Sequence, residues 1–159
     1  MAIEIIEKKE TNSFTIETLA KLYAGKGECK MNLKDYRGSI EDNQIAISYN
    51  LKNSDKNIWH LLQLYTEIGK ARILLNDYKN AIIVLNEAIK YEVKWEFFIN
   101  GEFVTYQAYA YYLIGVANYK NYEKNSIYSY KDNACKAWSK AGDLGYKEAY
   151  KYINDNCNN

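Results

Sequence analysis

The chain contains no proline, eight glycines and a single histidine. Folds rich in tight β turns lean on Pro and Gly at their corners, so this composition disfavours them and suits helices closed by polar turns. The lone His60 follows Trp59 at a helix start and reads as structural rather than catalytic. No glycine-rich loop follows a strand and no metal-ligand spacing occurs, so the expectation is a non-enzyme with no cofactor and no metal. Charge of one sign is also missing: 21 Lys and Arg against 20 Asp and Glu leave +1, which gives no global field for nucleic acid or an anionic membrane. No apolar run approaches 18 residues, and Met1 to Glu10 alternates apolar with charged residues, so no membrane insertion and no signal peptide is expected. The expected location is cytoplasmic, with a periplasmic or exported location as the alternative if an upstream signal has been removed.

What the chain has in excess is tyrosine, 17 in 159 residues. A tyrosine carries a large apolar body and a hydroxyl that needs a partner, so it suits half-buried seams and binding grooves. The length fits one domain, able to bury roughly 70% of the surface its unfolded form exposes.

Residues 1–14 form an N-terminal arm whose Ile3, Ile5 and Ile6 leave helix, strand or frayed chain open. From Thr15 a stripe of Ile16, Leu19, Ala20, Leu22 and Tyr23 predicts a helix to Asn32, capped by Ser13 or Thr15. Asp35 caps a second helix with inner face Ser39, Ile40, Ala46 and Ile47, and Tyr49 as a further candidate. The polar stretch Asn50 to Asn57 connects to a third, with Ile58, Leu61, Leu62, Tyr65, Ile68, Gly69 and Ile73. Asp77 caps a fourth, with Ala81, Val84, Leu85, Ala88 and Ile89. Lys94 to Asn100 reads as an apolar linker folded back on the body, followed by an Asn100-Gly101 turn. A fifth helix is expected over Glu102 to Asn121, a sixth over Asp132 to Asp143 and a seventh over Lys147 to Asp155, with Gly145 in the last turn.

Gly27 and Gly69 are 42 residues apart, as are Tyr36 and Tyr78, and Ala46 and Ala88. Tyr65-x2-Ile68-Gly69 followed by Ala81-x3-Leu85 resembles the tetratricopeptide repeat, with Arg72 where that pattern has Tyr. A first copy carries Tyr23, Gly27, Tyr36, Ser39 and Ala46. A third carries Tyr111-x2-Ile114-Gly115, then Ala134-x3-Trp138 and Ala141, with seven residues inserted around Tyr122 to Tyr130. The run from Ala134 to Ile153 is similar to the close of bacterial tetratricopeptide or Sel1-like repeat proteins, in particular Bacteroidetes-like ones. The resemblance implies an all-α, right-handed α-solenoid of three antiparallel helical hairpins, over 15–50, 57–93 and 102–143, with a capping helix over 146–156.

It also implies a function. In such proteins the first helix of each repeat lines a concave surface where a peptide or helix of another protein docks. Lys21, Ala24, Glu28 and Met31 would come from the first repeat, and Gln63, Thr66, Lys70 and Ile73 from the second. Tyr106, Tyr109, Tyr112, Val116 and Tyr119 would form a tyrosine wall in the third. Ala24, Glu28 and Glu67 stand where a clamp for a terminal carboxylate would need Lys and Asn. The alternatives are a self-associating subunit, such as a homodimer joined through its tyrosine face, and a sensor of a small ligand or peptide. Tyr and Lys interleave from Tyr119 to Lys131 and could stack bases, but Glu123 and the neutral charge leave no nucleic acid expected. Cys135 and Cys157 lie ten residues before and twelve after Gly145, so an antiparallel helix pair could bring them together as a disulfide. Without a visible export signal, reduced thiols are the expectation, with Cys29 as a small buried residue.

Overall fold

The computed structural model describes residues 13–53, 56–92, 96–99 and 101–158. Most of them are helical: α1 (Ser13–Asn32), α2 (Tyr36–Lys52), α3 (Ile58–Leu74), α4 (Tyr78–Ala88), α5 (Tyr106–Asn125), α6 (Tyr128–Asp143) and α7 (Glu148–Asn156). The arm expected over 1–14 lies outside the described residues except for its last two, which begin α1.

The helix ends follow from side chains near them. Asp35 accepts from the Gly38 N–H, Asn57 from that of His60 and Thr105 from that of Ala108, each satisfying a first-turn donor that the helix cannot. Asp77 does not cap α4; its carboxylate is taken by Arg72 Nη1 at 2.6 Å and Asn80 Nδ2 at 2.9 Å. Three turns repeat one hydrogen-bond pattern. The Asp35 N–H donates to the Lys30 carbonyl, Asp77 to Arg72 and Tyr146 to Ala141, with Lys34, Asn76 and Gly145 at positive φ. This left-handed close reverses the chain after α1, α3 and α6.

Each reversal sets two helices antiparallel. Gly27 faces Asn43 while Lys30, further along α1, reaches the Gly38 carbonyl nearer the start of α2. Gly69 meets Leu85 in the same way, and Gly115 meets Trp138 between α5 and α6, which are joined by a different turn at Ser126. The facing residue lies sixteen positions after the glycine in the first two pairs and twenty-three after it in the third. The seven extra residues do not form the expected inserted segment. α5 continues to Asn125 and α6 begins at Tyr128, so seven residues, about two helical turns, are shared between the two helices.

Two other expectations need correction. The apolar linker and the start of the fifth helix are instead an antiparallel hairpin, β1 (Glu96–Ile99) and β2 (Glu102–Thr105), with Phe97 opposite Val104 and Gly101 in its turn. Alternation in Phe97, Ile99 and Val104 is the strand period, and Val104 is fully buried against α5. Cys29 is exposed, in place of the small buried residue expected.

Successive helices pack on one another, and α3 also touches α5. The core has two parts that share α3. Leu61, Leu64 and Ile68 join Ile40, Ala46 and Ile47 of α2, while Leu62 joins Leu85, Ala108, Leu113, Ile114 and Trp138.

A methyl group at Gly115 would collide with the indole of Trp138, which is 1% exposed and has nowhere to go. Gly115→Ala should therefore destabilise the fold by about 1–3 kcal/mol. Gly25→Ala, on an open helix face, should stabilise it by about 0.5–1 kcal/mol. Urea unfolding checks both, and equal midpoints for the two variants would contradict the close approach.

Candidate functional site

A cleft of about 360 Å³ opens between α1 and α3. Lys21, Ala24, Glu28 and Met31 line it from α1, His60, Gln63, Glu67 and Lys70 from α3, and Tyr106 from the start of α5. Ser39 and Asn43 reach it from α2. Asn43 is there because Gly27 has no side chain to block it: a Cβ on that glycine would lie 2.9 Å from the Asn43 amide oxygen.

Polar chemistry dominates this surface. Burial, opposed by Lys70 and assisted by Glu28, raises the pKa of Glu67 above its ordinary value. Burial and then the carboxylates of Glu67 and Glu28 push the Tyr106 hydroxyl up to about 12, against a hydrogen bond from Gln63. Lys70 lies 3.9 Å from Glu67, and Lys21 is paired with Glu17 at 2.7 Å. Outside the cleft lining, Asp42 is 2% exposed and holds Lys30 at 2.7 Å and Lys26 at 3.1 Å, which ties α1 to α2. The sequence reading missed Asp42, although its placement between apolar Ile40 and Ala46 on the inner stripe is the signal that could have found it.

His60 has a structural assignment. Asn50 Oδ1 accepts from the Asn57 N–H at 3.0 Å, and its Nδ2 donates to the Asn57 carbonyl and lies 3.3 Å from His60 Nδ1. That amide donor makes Nδ1 the acceptor, so the proton sits on Nε2. The cluster clasps the connection between α2 and α3.

Of the thirteen residues expected along the groove, seven line the cleft: Lys21, Ala24, Glu28 and Met31, with Gln63, Lys70 and Tyr106. Thr66 is buried, its hydroxyl donating to the Leu62 carbonyl. Tyr109 is buried as well, with its hydroxyl pushed up to about 12 chiefly by burial. Tyr112 donates to the Tyr152 hydroxyl at 2.9 Å and packs edge-on against Tyr146. Ile73, Val116 and Tyr119 are half-buried against the same core, Tyr119 beside Trp138. The tyrosine wall is therefore covered, by α7 and the residues before it on one side and by Phe97 of β1 on the other, 4.3 Å from Tyr106 and 5.4 Å from Tyr109. Aromatic composition alone does not distinguish a wall from a seam.

Cys135 and Cys157 are joined as a disulfide with Cα atoms 5.9 Å apart, in place of the reduced thiols expected. The reversal at Gly145 brings the two positions level, as the helix geometry allows. Among the described residues no group of three or more His, Cys, Asp or Glu could hold a metal ion, and no helix is long and apolar enough to cross a membrane. No protein-family model matches this chain, and no curated protein matches it.

Burial lowers the His60 pKa from 6.5, aided by Lys21 and opposed by Glu17. The unfolded chain then binds this proton more readily, so the contribution of His60 is full above its unfolded value and is lost as pH falls toward the folded one. Thermal unfolding should show a smaller loss between about pH 7.5 and 5.5 in His60→Gln than in the wild type, and equal losses would contradict the assignment. Alkylation without reductant should label Cys29 alone, and reduction should cost about 3 kcal/mol for a loop of this length; labelling of all three cysteines would refute the bond.

Proposed function

We propose that the chain is a non-enzymatic helical-repeat module of the tetratricopeptide type that binds a segment of another protein in the cleft between α1 and α3. In this reading the pairs α1/α2, α3/α4 and α5/α6 are three stacked repeats of a right-handed solenoid, and α7 is its cap. The glycine contact recurs in all three pairs and supports the repeat; the turn recurs within the first two pairs, and its third instance joins α6 to α7. The observation that carries the functional reading is the cleft itself. It is an open concavity built by the first helices of adjacent pairs, lined by groups able to accept and donate hydrogen bonds, while the aromatic surface beside it is already packed.

Binding then falls on the first two pairs. The third pair, the hairpin and α7 serve as a rigid support, because their aromatic residues contact one another. The Cys135–Cys157 bond favours an oxidising compartment.

A photo-crosslinking residue placed at Gln63 in the cleft, with Ile83 on the exposed side of α4 as control, tests this in cells of the native source. Covalent capture of one protein at Gln63 and none at Ile83 is expected. Capture of the same proteins at both positions would count against the cleft.

A further inference from the structure

We propose that the notch between the start of α4 and the end of α5 binds a phosphate-type oxyanion, either free inorganic phosphate or a small phosphomonoester. The site shares no lining residue with the cleft between α1 and α3, so it stands or falls independently of that reading.

The notch measures about 400 Å³ and is lined by residues 76–80, from the turn before α4 and its first turn, and by Asn121, Lys124 and Asn125 of α5. An α-helix leaves its first N–H groups without intrahelical partners, and a capping side chain normally takes one of them. In α4 that does not happen. Asp77 gives no capping bond, because its carboxylate is held by Arg72 Nη1 at 2.6 Å and by Asn80 Nδ2 at 2.9 and 3.1 Å. The N–H groups of Tyr78, Lys79 and Asn80 therefore have no acceptor among the described residues, and they sit at the positive end of the helix dipole.

A second, independent observation comes from α5. Asn121 is 2% exposed, and its Nδ2 is buried with no hydrogen-bond partner among the described residues. The orientation of this amide is fixed by its neighbour. Asn125 Nδ2 donates to the Asn121 carbonyl at 2.9 Å and to Asn121 Oδ1 at 2.6 Å, so the oxygen is turned to Asn125 and the nitrogen is left over. A buried donor without a partner is unfavourable, and an acceptor held in the notch that Asn121 lines relieves it.

The local charges favour an anion. Lys79 and Lys124 are exposed, line the notch and form no ion pair among the described residues. The acids beside them are engaged, Asp77 with Arg72 and Glu123 with Lys120 at 2.7 Å. A carboxylate ligand brings two acceptor oxygens, too few for three helix N–H groups, an amide and two lysines. A phosphate group brings at least three oxygens and up to two charges, which matches that donor set.

The test uses the full chain and amide NMR at constant ionic strength, with inorganic phosphate, glycerol phosphate, acetate and chloride each raised to about 20 mM. Phosphate should move the backbone amides of Lys79 and Asn80 and the side-chain amide of Asn121 along saturating curves, and leave Gln63 and Glu67 in place. Saturation by inorganic phosphate alone, or by the ester as well, supports the site and identifies its source. Lys79→Gln/Lys124→Gln should weaken binding at least about tenfold. Asn121→Asp, which keeps the shape and the bond from Asn125 but turns the unpartnered donor into an acceptor, should abolish it. Equal shifts with acetate or chloride, an unmoved Asn121 amide, or unchanged affinity in the lysine variant would overturn the site.

Discussion

Three close approaches of glycine to a facing helix organise this molecule. Gly27, Gly69 and Gly115 each remove a side chain where two antiparallel helices would otherwise be held apart, and Asn43, Leu85 and Trp138 enter the space. The occupant changes from polar to aliphatic to aromatic along the chain. A glycine contact filled by an amide leaves hydrogen-bonding groups at a surface, and the cleft lies there. Filled by an indole, the same contact becomes part of a dry core.

The third pair extends that core instead of opening it. Tyr112 meets Tyr152 and Tyr146, Trp138 packs on Tyr119 and Tyr152, and Phe97 closes over Tyr106 and Tyr109. Rings at these separations contribute beyond the area they bury, and the Tyr112–Tyr152 hydrogen bond satisfies hydroxyls that burial would otherwise penalise. α3 links the two regimes, with Leu62 facing the aromatic part and Leu61, Leu64 and Ile68 the aliphatic one. Its polar face supplies Gln63, Glu67 and Lys70 to the cleft. One helix thus carries both the scaffold and half of the proposed recognition surface.

Much of the helical framework was legible in the residues. The spacing of Gly27 and Gly69, the cap at Asp35 and the apolar stripes place the first four helices to within a few residues, because each rests on local geometry. The Glu96–Thr105 hairpin was not legible: its strands are four residues each, too short for period two to stand out from a helix start. The seven added residues were misplaced because an insertion between helices looks the same whether it loops out or lengthens both. Four of the cleft residues, Lys21, Ala24, Glu28 and Met31, follow from counting along α1. Tyr109 and Tyr112 failed as surface residues because their burial depends on α7 and β1, which reach them from distant parts of the chain.

The central claim is a division of labour: a dry, aromatic end that supports and a polar end that binds. Native-state hydrogen exchange, read residue by residue, tests it most directly, since it ranks the free energy of opening along the chain. The account predicts that amides around Tyr112 and Trp138 exchange only through global unfolding, while those of α1 around Gly27 exchange through smaller openings. If α5 and α6 exchanged before α1, the aromatic end would be the mobile surface, and the assignment of support and recognition would have to be reversed.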